Sequence, residues 1–147
     1  MPQLFLGITF GFGILIAFSA VQNAIPVQAY FLFAANIFWA IAYDSHYAVS
    51  DMRDDKALNV YSVPLTFQEM TIKIIFLSYL SMFFILCLIG LMEQYSYQYY
   101  LALLIASAIA IYCCNLGKKL DSEKNFKAFL LNNYLGFFIF LGFLSQR

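Results

Sequence analysis

The stretch VQAYFLFAANIFWAIAYDSHYAVSDMRDDK, residues 27 to 56, decides the fold, because an apolar segment runs directly into a cluster of aspartates. A helix needs roughly 20 predominantly apolar residues to cross the hydrocarbon core of a bilayer. Residues 27 to 50 meet that length, and the residues that follow are charged. The stretch therefore predicts a membrane-spanning helix with an acidic end.

The rest of the chain has the same apolar character. Of its 147 residues, 63% are hydrophobic and 11% are charged, whereas charged residues make up about 25% of a typical soluble domain. Further apolar segments lie at about 3–22, 67–92, 97–116 and 126–145. We therefore predict an all-α, polytopic transmembrane helix bundle of about five spans, formed by residues 1–147 as a single transmembrane region.

Basic residues predict how this bundle is oriented. If the five helices alternate in direction, the charged segments 51–66 and 117–125 lie on one side, together with the N-terminus. The basic residues on or near that side are Arg53, Lys56, Lys73, Lys118, Lys119, Lys124 and Lys127. The other side would hold only Arg147. By the positive-inside rule, the charged loops of this multi-pass membrane protein face the cytoplasm.

The aspartates continue one face of the second helix. Asp44, Tyr47, Asp51 and Asp55 are spaced by three, four and four residues, so on a helix they share a face, which extends back to Asn36. Carboxylates held this close repel one another unless a cation lies among them, and Mg²⁺ prefers oxygen ligands. The pattern therefore indicates a Mg²⁺ site. The alternative is a solvated loop, which fits Asp54 better than the regularly spaced pair.

Three segments of the chain resemble one family of membrane enzymes. YAVSDMRDD, residues 47–55, resembles the second aspartate-rich motif, Y-x-x-x-D-x-x-x-D, of the intramembrane prenyltransferases of the UbiA superfamily. NIFWAIAYDSHYA (36–48) and AFLLNNYLGFFIFLG (128–142) look like the branch that prenylates 4-hydroxybenzoate. The resemblance covers nearly the whole chain, and it implies the second half of a nine-helix prenyltransferase fold.

The resemblance also implies a reaction and roles for individual residues. The reaction is the Mg²⁺-dependent transfer of a polyprenyl group from polyprenyl diphosphate to the ring of 4-hydroxybenzoate, as in ubiquinone biosynthesis. The metal-associated residues would be Asp51, Asp55 and Asp54, and the catalytic residues Asp51, Asp55 and Tyr47. The substrate-binding residues would be Asp44, Asn36, Arg53 and Lys56. The lipid bilayer would surround the isoprenoid tail, and no nucleic-acid partner is expected.

The chain departs from the family pattern in two places. The family usually reads G-x-K-S after the second motif, whereas residues 59–62 read NVYS. Asn tolerates left-handed backbone geometry, so we expect the turn to persist, with Arg53 or Lys56 replacing the lost lysine. The first motif, N-D-x-x-D-x-x-x-D, does not occur in these 147 residues.

Two functional interpretations follow from these departures. The first is an enzyme that works as part of a larger or split protein, with a complementary N-terminal half as its partner. The second is a non-catalytic truncated membrane protein, or a small cation-binding channel or transporter component.

Other polar residues allow two readings each. Asn132 and Asn133 could join helices by hydrogen bonds or contact a substrate, and His46 could be a hydrogen-bonded interfacial residue or a catalytic base. Lys118 and Lys119 could bind an anion, although the positive-inside rule explains them without one.

The orientation predicts the location of the C-terminus. A reporter fused after Arg147 should emerge on the side opposite the cytoplasm, because five spans that start inside must end outside. Paired alkaline phosphatase and fluorescent-protein fusions at that position measure this. A cytoplasmic C-terminus would contradict either the helix count or the orientation.

Overall fold

A computed structural model describes residues 1–146 as helices joined by short turns, with no strand in that range. Arg147, the basic residue expected on the far side, lies outside the described residues. The helices are α1 (Pro2–Gln22), α2 (Val27–Ser50), α3 (Met52–Ala57), α4 (Val63–Phe67), α5 (Thr71–Met92), α6 (Tyr97–Gly117) and α7 (Ser122–Leu144), with a 3₁₀ turn at Gln68–Met70.

The long helices form a ring with one helix attached to it. Helix α2 packs against α5 and α7, α6 packs against the same two helices, and α1 packs on α2. Small residues permit close approach, which is how membrane helices associate when lipid is as apolar as their side chains. A Cβ atom added to Gly7 of α1 would lie 2.8 Å from the Cα of Ile37. The α1–α2 contact therefore requires glycine at position 7.

Hydrogen bonds join α2 and α7 at three heights along their antiparallel axes. Trp39 Nε1 donates to Asn132 Oδ1 at 3.1 Å, and His46 Nδ1 lies 2.7 Å from Asn125 Oδ1. At the end of α2, the Ser50 hydroxyl donates to the Ser122 carbonyl at 3.0 Å. We call these contacts the α2–α7 polar ladder. Its residues follow helical spacing on both helices, so the ladder sets the register between them.

The two charged segments lie at the same end of the bundle, as predicted. There the Val63 amide donates to Gln3 Oε1 at 3.2 Å, and a Cβ added to Gly117 would lie 2.9 Å from His46 Cε1. At the opposite end, the Ser96 amide donates to Gln146 Oε1 at 2.7 Å. These contacts require the five long helices to alternate in direction. We call the end that carries both charged segments the charged end.

The all-α, polytopic bundle is confirmed. The helices that are long and apolar enough to cross a membrane are Pro2–Gln22, the segment Val63–Met92, Tyr97–Gly117 and Ser122–Leu144. Helix α2 has 24 residues, about 36 Å at 1.5 Å per residue, and runs between the same two ends. It is less apolar because it carries residues such as Asn36, Asp44 and His46, which face other helices.

The structure corrects some predicted boundaries at the charged end. Residues 51–66 were expected as a loop but contain α3 and α4, and α5 begins at Thr71 rather than 67 because Gln68 has φ 45° and breaks the helix. Helix α7 begins at Ser122 rather than 126. Its N-cap Asp121 accepts a hydrogen bond from the Lys124 amide at 2.9 Å, so the helix extends into the charged segment.

Asn132 connects three helices and should carry a large share of the stability. Its Oδ1 accepts from Trp39 and also from the buried Tyr79 hydroxyl at 2.9 Å. We predict that Asn132→Leu lowers the free energy of unfolding by about 2 kcal/mol, because the buried Tyr79 hydroxyl and the partly buried Trp39 ring nitrogen both lose their acceptor. The neighbouring Asn133 is exposed, and Asn133→Leu should change the free energy of unfolding by less than about 0.5 kcal/mol. Reversible unfolding in mixed micelles, followed by circular dichroism, measures the stability of both variants. Equal losses of stability would contradict the role of Asn132 in connecting three helices.

Candidate functional site

The candidate site lies where α2 passes into α3. Asp51 ends α2 with φ −100° and ψ 3°, which interrupts the regular helix. The Asp51 amide still donates to the Tyr47 carbonyl at 3.1 Å, and the Asp55 amide donates to the Asp51 carbonyl at 3.0 Å. Because the four-residue hydrogen-bond pattern crosses the junction, Tyr47, Asp51 and Asp55 keep the common face that their spacing predicts.

The carboxylates on this face differ in exposure. Asp51 and Asp55 are half-buried, whereas Asp54 is exposed. Asp44 is also half-buried, about two helical turns before Asp51, and it lies close enough to Asp55 for the two charges to interact. Asp44 and Asp55 therefore lie near each other, Asp51 precedes Asp55 by one helical turn, and Asp54 is directed outward.

The loop after α3 keeps its turn although the family glycine is replaced. Asn59 has φ 54°, in the left-handed region that Asn tolerates, as its sequence predicts. The Val60 amide donates to the Asp55 carbonyl at 2.9 Å, which folds the loop back onto the end of α3. Arg53 and Lys56 are both exposed on α3, the helix that also carries Asp54 and Asp55.

Two predicted site residues have protein neighbours of their own. The Tyr47 ring packs 5.2 Å from the ring of Phe129 on α7, and 39% of Tyr47 is exposed. Asn36 Nδ2 donates to the Gly7 carbonyl at 3.0 Å and lines a cavity of about 140 Å³. Asn36 lies eight residues before Asp44, about 12 Å along the helix. The structure does not bring Asn36 beside the aspartates, and its substrate role remains a prediction.

Sequence reasoning missed Gln3. This side chain is 2% exposed, accepts a hydrogen bond from the Val63 amide and lies against the Asp44 carboxyl. It thereby connects α1 and α4 to the acidic face. The available signal was a glutamine at the start of an apolar helix, since a polar group inside a membrane segment needs a partner.

His46 and Asn125 form a buried pair directly beneath the site. Both side chains are 0% exposed, and Asn125 Nδ2 also donates to the Asp121 carbonyl at 2.9 Å. Gly117 leaves room for them, because an added Cβ would lie 2.8 Å from Asn125 Oδ1. This geometry matches the interpretation of His46 as a hydrogen-bonded interfacial residue.

The donor set can be compared with the requirements of Mg²⁺. Within residues 1–146, no group of three or more His, Cys, Asp or Glu side chains is arranged to hold a metal ion. Mg²⁺ is commonly held by one or two carboxylates together with substrate phosphates. Asp51 and Asp55, half-buried and one turn apart, fit that mode of binding and would supply one side of such a site.

Comparisons with known proteins agree with the motifs. Residues 1–142 match the sequence profile of the UbiA prenyltransferase family. The 4-hydroxybenzoate octaprenyltransferase of Pasteurella multocida is 41% identical over 144 residues, which are 98% of this chain and 50% of that protein. The proteins of the same name from Methylobacillus flagellatus and Polynucleobacter necessarius are 39% and 42% identical over 99% and 97% of this chain, and 49% and 50% of their own lengths.

The chain thus spans about half the length of the curated relatives it matches. No solved structure matches it. The profile match covers nearly the whole chain, and the relatives share about two residues in five with it. The chain belongs to the UbiA prenyltransferase family.

Proposed function

We propose that this chain supplies one half of a prenyl-transfer site, in which a polyprenyl group passes from its diphosphate to the ring of 4-hydroxybenzoate. The observation that carries the proposal is the pair Asp51 and Asp55, half-buried on one face at the charged end. The relatives named for this reaction are about twice as long. A complementary N-terminal half with the first aspartate-rich motif therefore completes the proposed site.

The residues of this half have distinct proposed roles. Asp51 and Asp55 would hold Mg²⁺ on one side of the diphosphate, and Asp54 would add charge from the exposed face. When bound, Mg²⁺ would neutralise charge on the departing diphosphate. Arg53 and Lys56 would contact the phosphates from α3, in place of the lysine that the family carries where Tyr61 stands here.

The deeper residues would shape the cavity for the organic part of the substrates. As the carbon–oxygen bond breaks, the electron pair leaves with the diphosphate, and the allylic carbon becomes electron-poor. The half-exposed face of Tyr47 would stabilise that carbon through its π electrons. Asp44, held by Gln3, would orient the acceptor, and Asn36 would line the wall nearer the middle of the membrane. The end that carries these residues would face the cytoplasm of a bacterial inner membrane.

The roles of Asp51 and Asp55 can be tested by charge removal in the completed two-half enzyme. We predict that Asp51→Asn and Asp55→Asn each lower kcat by at least about 100-fold, because each substitution keeps the shape and removes charge where the diphosphate departs. Glu123→Gln removes an exposed carboxylate from the first turn of α7 and should leave kcat within about twofold. Transfer of a radiolabelled prenyl group measures this. Near-normal turnover of Asp51→Asn at saturating Mg²⁺ would contradict the assignment.

The division of the site between two halves predicts complementation. The 147-residue chain alone should transfer no prenyl group to 4-hydroxybenzoate, because its carboxylates can enclose only one side of the diphosphate. Co-expression with the N-terminal half of the Pasteurella multocida relative should restore measurable transfer. A matched N-terminal half with its first-motif aspartates changed to asparagine should not.

Two outcomes of the complementation experiment decide against the proposal. Transfer by the isolated chain would show that a second half is not needed. If no combination transfers a prenyl group although both halves are present in the membrane, the result would favour a non-catalytic protein or a cation-binding channel or transporter component.

A further inference from the structure

An apolar groove runs along the outer surface between α5 and α6, away from the aspartates. Its upper part, of about 490 Å³, opens at the charged end, and its lower part, of about 220 Å³, continues toward the middle of the bundle. Phe76, Ile111 and Cys114 line both parts, so the two form one channel. The walls are accessible from outside, since Leu77 and Leu80 are 57% and 55% exposed. We call this channel the α5–α6 groove.

Two lysines from different helices line the mouth of the α5–α6 groove. Lys73 lies in the first turn of α5 and Lys118 directly follows α6, and both border the upper part. The N-terminus of α5 adds partial positive charge at the same place. The nearest acids in sequence, Glu69 and Asp121, do not border the groove. The mouth is therefore positively charged where the groove meets the membrane surface.

The length of the groove indicates what occupies it. From Lys73 to Phe83, which lines the lower part, the helix rises about 15 Å at 1.5 Å per residue. One leaflet of a bilayer has a hydrocarbon thickness of about 15 Å. The groove thus spans one leaflet and has its positive charge at the level of the lipid headgroups.

We propose that the α5–α6 groove binds an anionic phospholipid of the surrounding bilayer, with its phosphate between Lys73 and Lys118 and an acyl chain along Phe76, Ile111 and Leu80. Basic pockets between transmembrane helices recognise anionic headgroups in this way. The site is separate from the aspartates, so it does not depend on the proposed transferase function. The groove matches one leaflet in length, which favours a phospholipid over a longer isoprenoid.

Lipid that co-purifies with the protein tests the proposal. The 147-residue chain is reconstituted in vesicles of equal parts phosphatidylglycerol and phosphatidylcholine, extracted in mild detergent, and its bound lipid is quantified by mass spectrometry. Phosphatidylglycerol should be enriched on the unmodified chain. The double variant Lys73→Gln/Lys118→Gln should lower the apparent affinity for phosphatidylglycerol at least about tenfold, because each headgroup lysine contributes roughly a fivefold factor.

Matched variants separate this site from general positive charge. Lys119→Gln/Lys124→Gln removes the same charge from the same end outside the groove lining and should retain the enrichment. Ser107→Phe narrows the lower part of the groove and should reduce the bound lipid while leaving both lysines in place. The proposal would be overturned if both double variants lost bound phosphatidylglycerol equally, or if neither lost any.

A competition experiment checks the identity of the occupant. Octaprenyl diphosphate added at the same concentration as phosphatidylglycerol should leave the bound phospholipid unchanged, because its chain is much longer than the groove, which matches one leaflet. Displacement of phosphatidylglycerol by octaprenyl diphosphate from the unmodified chain, but not from the Lys73→Gln/Lys118→Gln variant, would instead assign the groove to an isoprenoid diphosphate.

Discussion

The α2–α7 polar ladder is the interaction on which the position of the candidate site depends. In a bilayer, helices gain little from burying apolar surface against each other, and an unpaired polar group in hydrocarbon is costly. The ladder pairs polar groups inside the bundle, since His46 Nδ1 lies 2.7 Å from Asn125 Oδ1 where neither side chain has access to solvent. It leads to the Ser50–Ser122 contact at the end of α2. Asp51 is the next residue, so the ladder determines where the acidic face begins.

The long helices could be predicted because the membrane imposes a simple rule on sequence. Apolar runs of the required length gave the boundaries of α1, α2 and α6 to within a residue or so. The rule fails at the charged end, where polar composition does not distinguish a loop from a short helix. The Asp121 cap was visible in the sequence as an acid before a helical segment. The break at Gln68 was not, because a positive φ is uncommon for a residue such as Gln and nothing in the local sequence indicates it.

The candidate site was predictable in part for a related reason. Helical spacing alone placed Asp51 and Asp55 on one face, since this depends on local hydrogen bonds. Contacts between distant segments do not follow from spacing. Gln3 meets Asp44 and Val63 across more than 40 residues, and Asn36 is directed to Gly7 rather than to the aspartates. The resemblance to the family supplied the chemistry that we propose for this site.

A double-mutant cycle on His46 and Asn125 tests most directly whether the ladder acts as a specific interaction. The free energies of unfolding of His46→Leu, Asn125→Leu and the double variant would be compared with that of the unmodified chain in mixed micelles. The account predicts a coupling free energy of about 1 kcal/mol, because either single change leaves the other polar group buried without its partner. Additivity within about 0.3 kcal/mol would show that the two residues do not stabilise each other, and would contradict the ladder as the constraint that positions the acidic face.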